Sequence, residues 1–153
     1  MDKATLLRWL RETDAARLEE LWQRADATRR AEVGDAVPLR GLVEFSNVCV
    51  RQCAYCGLRA GNRGVTRYTM TADEIMDCAR EAVRLGFGTV VLQSGENPSC
   101  TTAWLAAVIG AIKAETDLAV TLSVGERDRA DLATWRAAGA DRYLLRFETS
   151  NRQ

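Results

Sequence analysis

Apolar positions in the first forty residues recur at helical spacing. Leu6, Leu7 and Leu10 form one patch, and Leu18, Leu21, Trp22 and Ala25 repeat along a second stretch. Thr13 and Asp14 stand between them and offer an N-cap for the second helix. The pattern then changes. Gly41-Leu42-Val43-Glu44-Phe45-Ser46 is short, β-branched and aromatic, which predicts a strand. Residues 57–69 are rich in glycine and arginine without periodicity and predict a long loop. Thr71-Ala72-Asp73-Glu74 has the form of a capping box. Ile75, Ala79, Ala82 and Val83 predict the buried stripe of the helix that follows, and Gly86 its left-handed stop. Thr89-Val90-Val91-Leu92 is apolar without alternation, as in a strand covered on both faces. The cycle then repeats. A helix is expected over about 102–115, with Trp104, Val108 and Ile112 on one face, then a strand at Ala119-Val120-Thr121-Leu122. A helix from about Asp128 to Ala138 and a strand at Tyr143-Leu144-Leu145 close the series. Trp9, Trp22, Trp104 and Trp135 fall on helical faces and are expected to be packing residues.

Strands alternating with helices imply an α/β fold with a parallel sheet. Ala138-Gly139-Ala140-Asp141, ending a helix and opening a strand, suits a partial TIM-type (βα) barrel. About four βα units are legible, preceded by the N-terminal helices. Residues 1–38 are thus a helical lead-in and 39–153 the βα units of one domain. A complete eight-unit barrel takes about 250 residues, so its C-terminal half is expected to be absent from this sequence. Half a barrel leaves open edges able to pair with other chains.

Composition narrows the chemistry. With 153 residues, 47% apolar and 27% charged, a packed core is expected. The 21 basic and 21 acidic side chains cancel, which argues against nucleic acid or an anionic membrane as partner. The longest apolar run, Trp104 to Ile112, is too short to span a bilayer. Charges among the first leucines exclude a secretory signal, so a cytoplasmic, reducing location is expected. There is no histidine, which removes Ser-His-Asp triads, histidine acid–base catalysis and histidine-containing metal sites. Of five cysteines, Cys49, Cys53 and Cys56 are spaced C-x3-C-x2-C directly after the first strand. In a reducing compartment such a cluster points to metal or catalysis before disulfides. Arg40, Arg51, Arg59, Arg63 and Arg67 against Glu44 give this region a local charge of +4, which favours anionic groups or marks a solvated loop.

Thiolates are soft ligands suited to zinc or iron–sulfur clusters. Three of them on a tight loop would hold three irons of a 4Fe-4S cluster and leave the fourth open for chemistry. A zinc knuckle is the alternative, but tetrahedral zinc needs a fourth ligand. Cys78 and Cys100 supply one only by folding back. Cys78 shares the stripe of Ile75 and Ala82 and is expected to pack; Cys100, in a loop after Pro98, has no assignment.

The words around the cysteines are more specific. They include Leu39-Arg40-Gly41, Val43 to Cys49, Tyr55-Cys56-Gly57-Leu58-Arg59 and Arg67-Tyr68-Thr69-Met70. Further on stand Val91-Leu92-Gln93-Ser94-Gly95-Glu96, Thr121 to Glu126 and Ala138 to Arg146. Together they resemble the radical S-adenosylmethionine (SAM) superfamily and, in its biotin-synthase-like group, the HydE family of FeFe-hydrogenase maturases. The resemblance runs along essentially the whole chain and covers about the first half of that family's length. It implies that Cys49, Cys53 and Cys56 ligate a 4Fe-4S cluster whose open iron chelates SAM. An electron from an external donor would cleave SAM to methionine and a 5′-deoxyadenosyl radical, which abstracts hydrogen from a small-molecule substrate. Other hydrogenase maturation proteins are implied partners.

The same resemblance places further residues. Tyr55 packs on adenine or merely anchors its loop. Gln93, Ser94 and Gly95 bind the ammonium and carboxylate of SAM, at the strand ends where barrel sites lie. Ser123 joins them and, with Glu126, leaves the third strand at the same face. Arg146 and Glu148 hold SAM or form a surface ion pair. Phe147 stands where the family's maturases usually carry histidine, which affects substrate handling. A biotin-synthase-like or methylornithine-synthase-like enzyme, and an inactive cluster- or zinc-binding remnant, remain open alternatives.

Overall fold

Asp2 and Asp14 start the two N-terminal helices by accepting backbone N–H bonds from Thr5 (2.7 Å) and Arg17 (3.0 Å). The resulting α1 (Lys3–Leu10) and α2 (Ala15–Val33) belong to a compact unit of residues 1–37 in the computed structural model, which describes residues 1–146. Within that unit the guanidinium groups of Arg8 and Arg17 lie 5.8 and 5.6 Å from the Trp9 ring centroid. Trp22, expected to pack, is 60% exposed. Two helices by themselves have too little apolar surface to enclose an indole.

The second unit, residues 38–153, begins with a sheet. β1 (Gly41–Ser46), β2 (Thr89–Ser94), β3 (Ala119–Ser123) and β4 (Arg142–Tyr143) run parallel in the order β1-β2-β3-β4. They are joined through α3 (Ala72–Arg84), α4 (Thr102–Glu115) and α5 (Arg129–Ala138). Val43, Leu92, Leu122 and Tyr143 stand in register across the four strands. This alternate set points to the helices and forms the core with Ile75, Ala79, Leu105, Ile109, Ile112 and Trp135. Phe45 is fully buried with its ring centroid 5.9 Å from that of Trp104. Trp135 stacks on Tyr143 at 6.3 Å and donates its indole N–H to Thr102 O (3.0 Å).

The predicted capping box is formed: Thr71 Oγ1 accepts from Glu74 N, and Glu74 Oε2 accepts from Thr71 N at 2.7 Å. Gly86 takes φ 76° as a stop. Three expectations are corrected. Val83 is 49% exposed, and Met76 completes the stripe with Ile75, Ala79 and Ala82. Four neighbours spaced 1, 3 and 3 apart already fill the face that meets the sheet, so Val83 falls on its flank. β2 does alternate: Val90 and Leu92 are fully buried, Thr89 and Val91 only partly. The helices pack on one face of the sheet, and Thr89 and Val91 belong to the other. The last strand is Arg142–Tyr143, and Leu144 and Leu145 lie beyond it, exposed. Leu144 N still donates to Leu122 O (2.8 Å), but no described strand pairs with β4 on its far side to extend it.

At the opposite end of the sheet Asp141 accepts from Val120 N (2.8 Å) and from Lys113 Nζ (3.4 Å). The Val120 N–H bond above all, with Lys113 beside it, holds the Asp141 carboxyl below the usual carboxylate range. A depressed pKa contributes stability above the unfolded value and loses it as pH falls through the folded one. Asp141→Asn should therefore be less stable than the parent at neutral pH, and urea midpoints should converge below about pH 4. Phe45→Ala should lower stability by about 3–5 kcal/mol in the same titration, since nothing can collapse into a ring-sized void between strand and helix.

Candidate functional site

The parallel register brings the C-terminal ends of β1 and β2 side by side, and the cysteine loop starts where β1 ends. A register shift between Glu44 and Ser46 turns Ser46 inward, where it is buried. Its hydroxyl donates to Tyr68 O (3.1 Å) and accepts from Val48 N (3.2 Å) and from Asn97 Nδ2 (3.1 Å). Thr69 Oγ1 lies 2.9 Å away. One hydroxyl thus ties together the cysteine loop, the exit of β2 and the segment leading to α3.

The exit of β2 is pressed against the first turn of the cysteine loop. Gly95 N donates to Ser46 O (3.1 Å), and Val50 N donates to Glu96 O (3.0 Å). A Cβ on Gly95 would overlap the Val48 carbonyl oxygen and lie 2.7 Å from Cys49 Cβ. The close approach that this glycine permits is made to the cysteine loop itself.

The loop folds on its own backbone. Cys56 N donates to Cys53 O (3.0 Å), Leu58 N to Cys56 Sγ (3.4 Å), and Ala60 N to Arg51 O (2.8 Å). Arg67 is the central pin. Its guanidinium donates to the carbonyl oxygens of Asn47 (2.6 Å), Leu58 (2.9 Å), Arg59 (2.9 Å) and Asn62 (3.3 Å). Arg51 instead pairs with Glu96 and Glu126. Arg59 also donates to Cys56 O (3.0 Å), so three of the five arginines behind the local +4 are engaged within the protein, Arg67 and Arg51 with the most partners. Sequence reasoning missed Ser46, Asn97 and these two arginine roles. A loop arginine with no acid near it in sequence, as at Arg67, was the one signal available.

Cys49 and Cys56 line a cleft of about 330 Å³ with Glu44, Gln93, Gly95 and Arg146. Gln93 Nε2 donates to Glu44 Oε1 (3.1 Å), and Arg146 Nη2 donates to Gln93 Oε1 (3.3 Å). The amide is therefore oriented between a carboxylate and a guanidinium. Ser94 lines the same cleft. Ser123, level with Gln93 in the register, is buried and lines an adjoining cleft of about 150 Å³ with Ser94 and Arg146. Cys53 is exposed, as is Tyr55 at 70%, and neither is among the residues lining the cleft. Glu148 and Phe147 lie outside the described residues.

Among the described residues no three Cys, Asp or Glu side chains converge as a ready-made metal site. The donor chemistry nonetheless fits an iron–sulfur cluster: three loop thiols, an N–H aimed at one sulfur, and no histidine. Cys53 lies outside the cleft that Cys49 and Cys56 line, so gathering all three thiols on one metal would couple binding to the conformation of the loop. Cys100 is buried in the core, where desolvation pushes its thiol up, and Cys78 packs against the same core. A larger cleft of about 460 Å³, lined by Leu42, Cys78 and Phe87 among others, lies at the start of β1, away from the cysteine loop.

The model of the Radical SAM superfamily matches residues 43–153. The [FeFe] hydrogenase maturase subunit HydE of Thermotoga maritima is 50% identical over 133 residues, covering 87% of this chain and 38% of that protein. The crystal structure of methylornithine synthase (PylB) superposes with a TM-score of 0.83 at 29% identity, over 92% of this chain and 42% of the other. That of HydG, a maturase of the [FeFe]-hydrogenase, gives 0.85 at 23% identity over 94% and 33%, a likeness of fold alone. The chain spans less than half the length of each of these relatives.

Gly95→Ala should displace the first turn of the cysteine loop, because the clash is with backbone rather than with a movable side chain. We expect a stability loss of about 1–3 kcal/mol and faster alkylation of Cys49, read by mass spectrometry. Unchanged Cys49 labelling would show that the seam does not hold the loop.

Proposed function

This chain belongs to the radical SAM superfamily, and on that premise we propose that it carries the cluster- and SAM-binding part of a radical SAM enzyme of the FeFe-hydrogenase maturase type. One observation carries the proposal: Cys49 and Cys56 share a cleft with Gln93, Gly95 and Arg146 at the C-terminal ends of the strands. Cys49, Cys53 and Cys56 are the residues that would hold a 4Fe-4S cluster. When bound, that group supplies the single electron that cleaves SAM to methionine and a 5′-deoxyadenosyl radical.

The remaining work falls to the protein. Arg146 offers a guanidinium to the SAM carboxylate, and Glu44 a carboxylate oxygen to its ammonium. Gln93, held between the two, keeps both side chains aimed at the cleft. Ser94 adds a hydroxyl to this cleft and Ser123 one to the adjoining cleft, and Tyr55 offers an aromatic face for adenine. The Leu58 N–H bonds Cys56 Sγ and would withdraw electron density from that sulfur as a ligand, which would favour the reduced state of a bound cluster. An external electron donor, a small-molecule substrate, other hydrogenase maturation proteins and a cytoplasmic setting complete the proposal. Among the described residues no helix is long and apolar enough to cross a membrane.

A methylornithine-synthase type is the second reading, supported by the superposition at 29% identity. The maturase type is preferred on the 50% identity to HydE.

The test is reconstitution without oxygen using iron and sulfide, followed by SAM and a strong one-electron reductant. Formation of 5′-deoxyadenosine is expected from the parent and not from Cys53→Ala. Stoichiometric zinc with no iron uptake would overturn the cluster assignment. A cluster that forms without SAM cleavage would mark an inactive remnant.

A further inference from the structure

Arg51 lies two residues from both Cys49 and Cys53, yet its side chain leaves the cysteine loop altogether. Its Nε and Nη2 bond both oxygens of Glu96, at 2.5 and 2.8 Å. Nη2 also reaches Glu126 Oε2 at 3.0 Å. The three residues come from three segments: the cysteine loop, the exit of β2 and the exit of β3. A two-pronged guanidinium–carboxylate pair fixes direction as well as distance, which a lysine cannot do.

The surrounding backbone is shaped to the pair. Val50 N donates to Glu96 O beside it (3.0 Å), so the ion pair and the backbone bond span the same gap. Gly125 has φ 85°, and a Cβ there would stand 3.0 Å from Glu96 Cγ. The stem of Glu96 thus lies over the β3 exit in space that a glycine leaves open. Glu96 is the least exposed member of the group, its side chain at 20%.

We propose that Arg51 is a positioning residue that clamps the cysteine loop to the rim of the sheet through Glu96 and Glu126, setting where Cys49 and Cys53 lie before any metal binds. The positioning part rests on the proposed assignment of these cysteines as ligands; the clamp itself does not. Lone exposed ion pairs contribute little, but here the pair acts with the Val50 bond and the Gly95 seam on one short turn. Its expected effect is local opening of the loop rather than loss of the fold.

The experiment uses the full chain in two states. In the metal-free protein, hydrogen exchange of residues 48–62 should be about threefold to fivefold faster in Arg51→Gln and Glu96→Gln. The charge-swapped pair Arg51→Glu with Glu96→Arg should return toward the parent, and Arg51→Lys should fall between. Glu126→Gln, at an exposed position, should give a smaller increase with unchanged helix content. After reconstitution with iron and sulfide, the single variants should lose iron to a chelator faster by a similar factor, and the swapped pair should not. Parental exchange rates in both single variants would overturn the clamp whether or not iron binds. Faster exchange with parental iron loss would overturn its role in positioning the ligands. A parent that binds no iron, but whose variants exchange faster, would overturn the cluster assignment and the positioning role with it, and leave the clamp standing.

Discussion

The structure turns on the seam between the exits of β1 and β2. Two parallel strands in register end at the same level, so whatever follows each must pass the other at close range. Gly95 meets the Val48 carbonyl and Cys49 without a side chain between them, and two backbone bonds, Gly95 N to Ser46 O and Val50 N to Glu96 O, close the gap. The position of the first cysteine is therefore dictated by the sheet. The sheet in turn is dictated by the apolar set of Val43, Phe45, Leu92 and Leu122 buried against the helices. Core packing and site geometry share one element, because the same β1 that buries Phe45 delivers Cys49.

The two faces of that sheet do different things. Residues pointing to the helices are apolar and closed. The alternate set carries the chemistry: Glu44, Gln93 and Ser123 stand in one row across three strands. A parallel sheet places side chains of equal height in rows, so a row of carboxylate, amide and hydroxyl is a direct product of register. Sliding β2 by one residue would send Gln93 into the core and Leu92 into the cleft.

The sequence made visible whatever depends on neighbours close along the chain. The Thr71–Glu74 box, the stop at Gly86 and the bounds of β1 are all local, and each appears where its residues predict it. What stayed hidden depends on distant contacts. Arg67 is one residue among five arginines until the carbonyls of Asn47, Leu58, Arg59 and Asn62 surround it. Glu96 is only the last residue of the Val91–Glu96 run until Arg51, 45 residues earlier, reaches it. Val83 and Trp22 satisfy helical periodicity and are still exposed, because periodicity says which side of a helix is apolar and not whether another layer covers it.

Residues 47–70 form a connection without helix or strand of their own, far longer than most in compact domains. Its cost is set by how many of those residues must be ordered, and the pattern of bonds shows how that is offset. Both ends are fixed by the core: Ser46 closes β1, and Met70 N donates to Phe45 O (2.7 Å) directly before the Thr71 cap of α3. The isolated bridge between Ser46 and Thr69 makes the loop return to its starting point. Closure entropy grows only slowly with length once the ends are held, so the remaining cost lies in the interior. There Arg67 satisfies four carbonyls that a loop cannot pair with one another, and Arg51 ties the opposite side to the rim. Cys53 and Tyr55 occupy the stretch between these two pins and are exposed. The bonds that tie the loop down thus gather at its two ends and at Arg67 and Arg51, and the middle thiol of the C-x3-C-x2-C run stands between those ties at the surface.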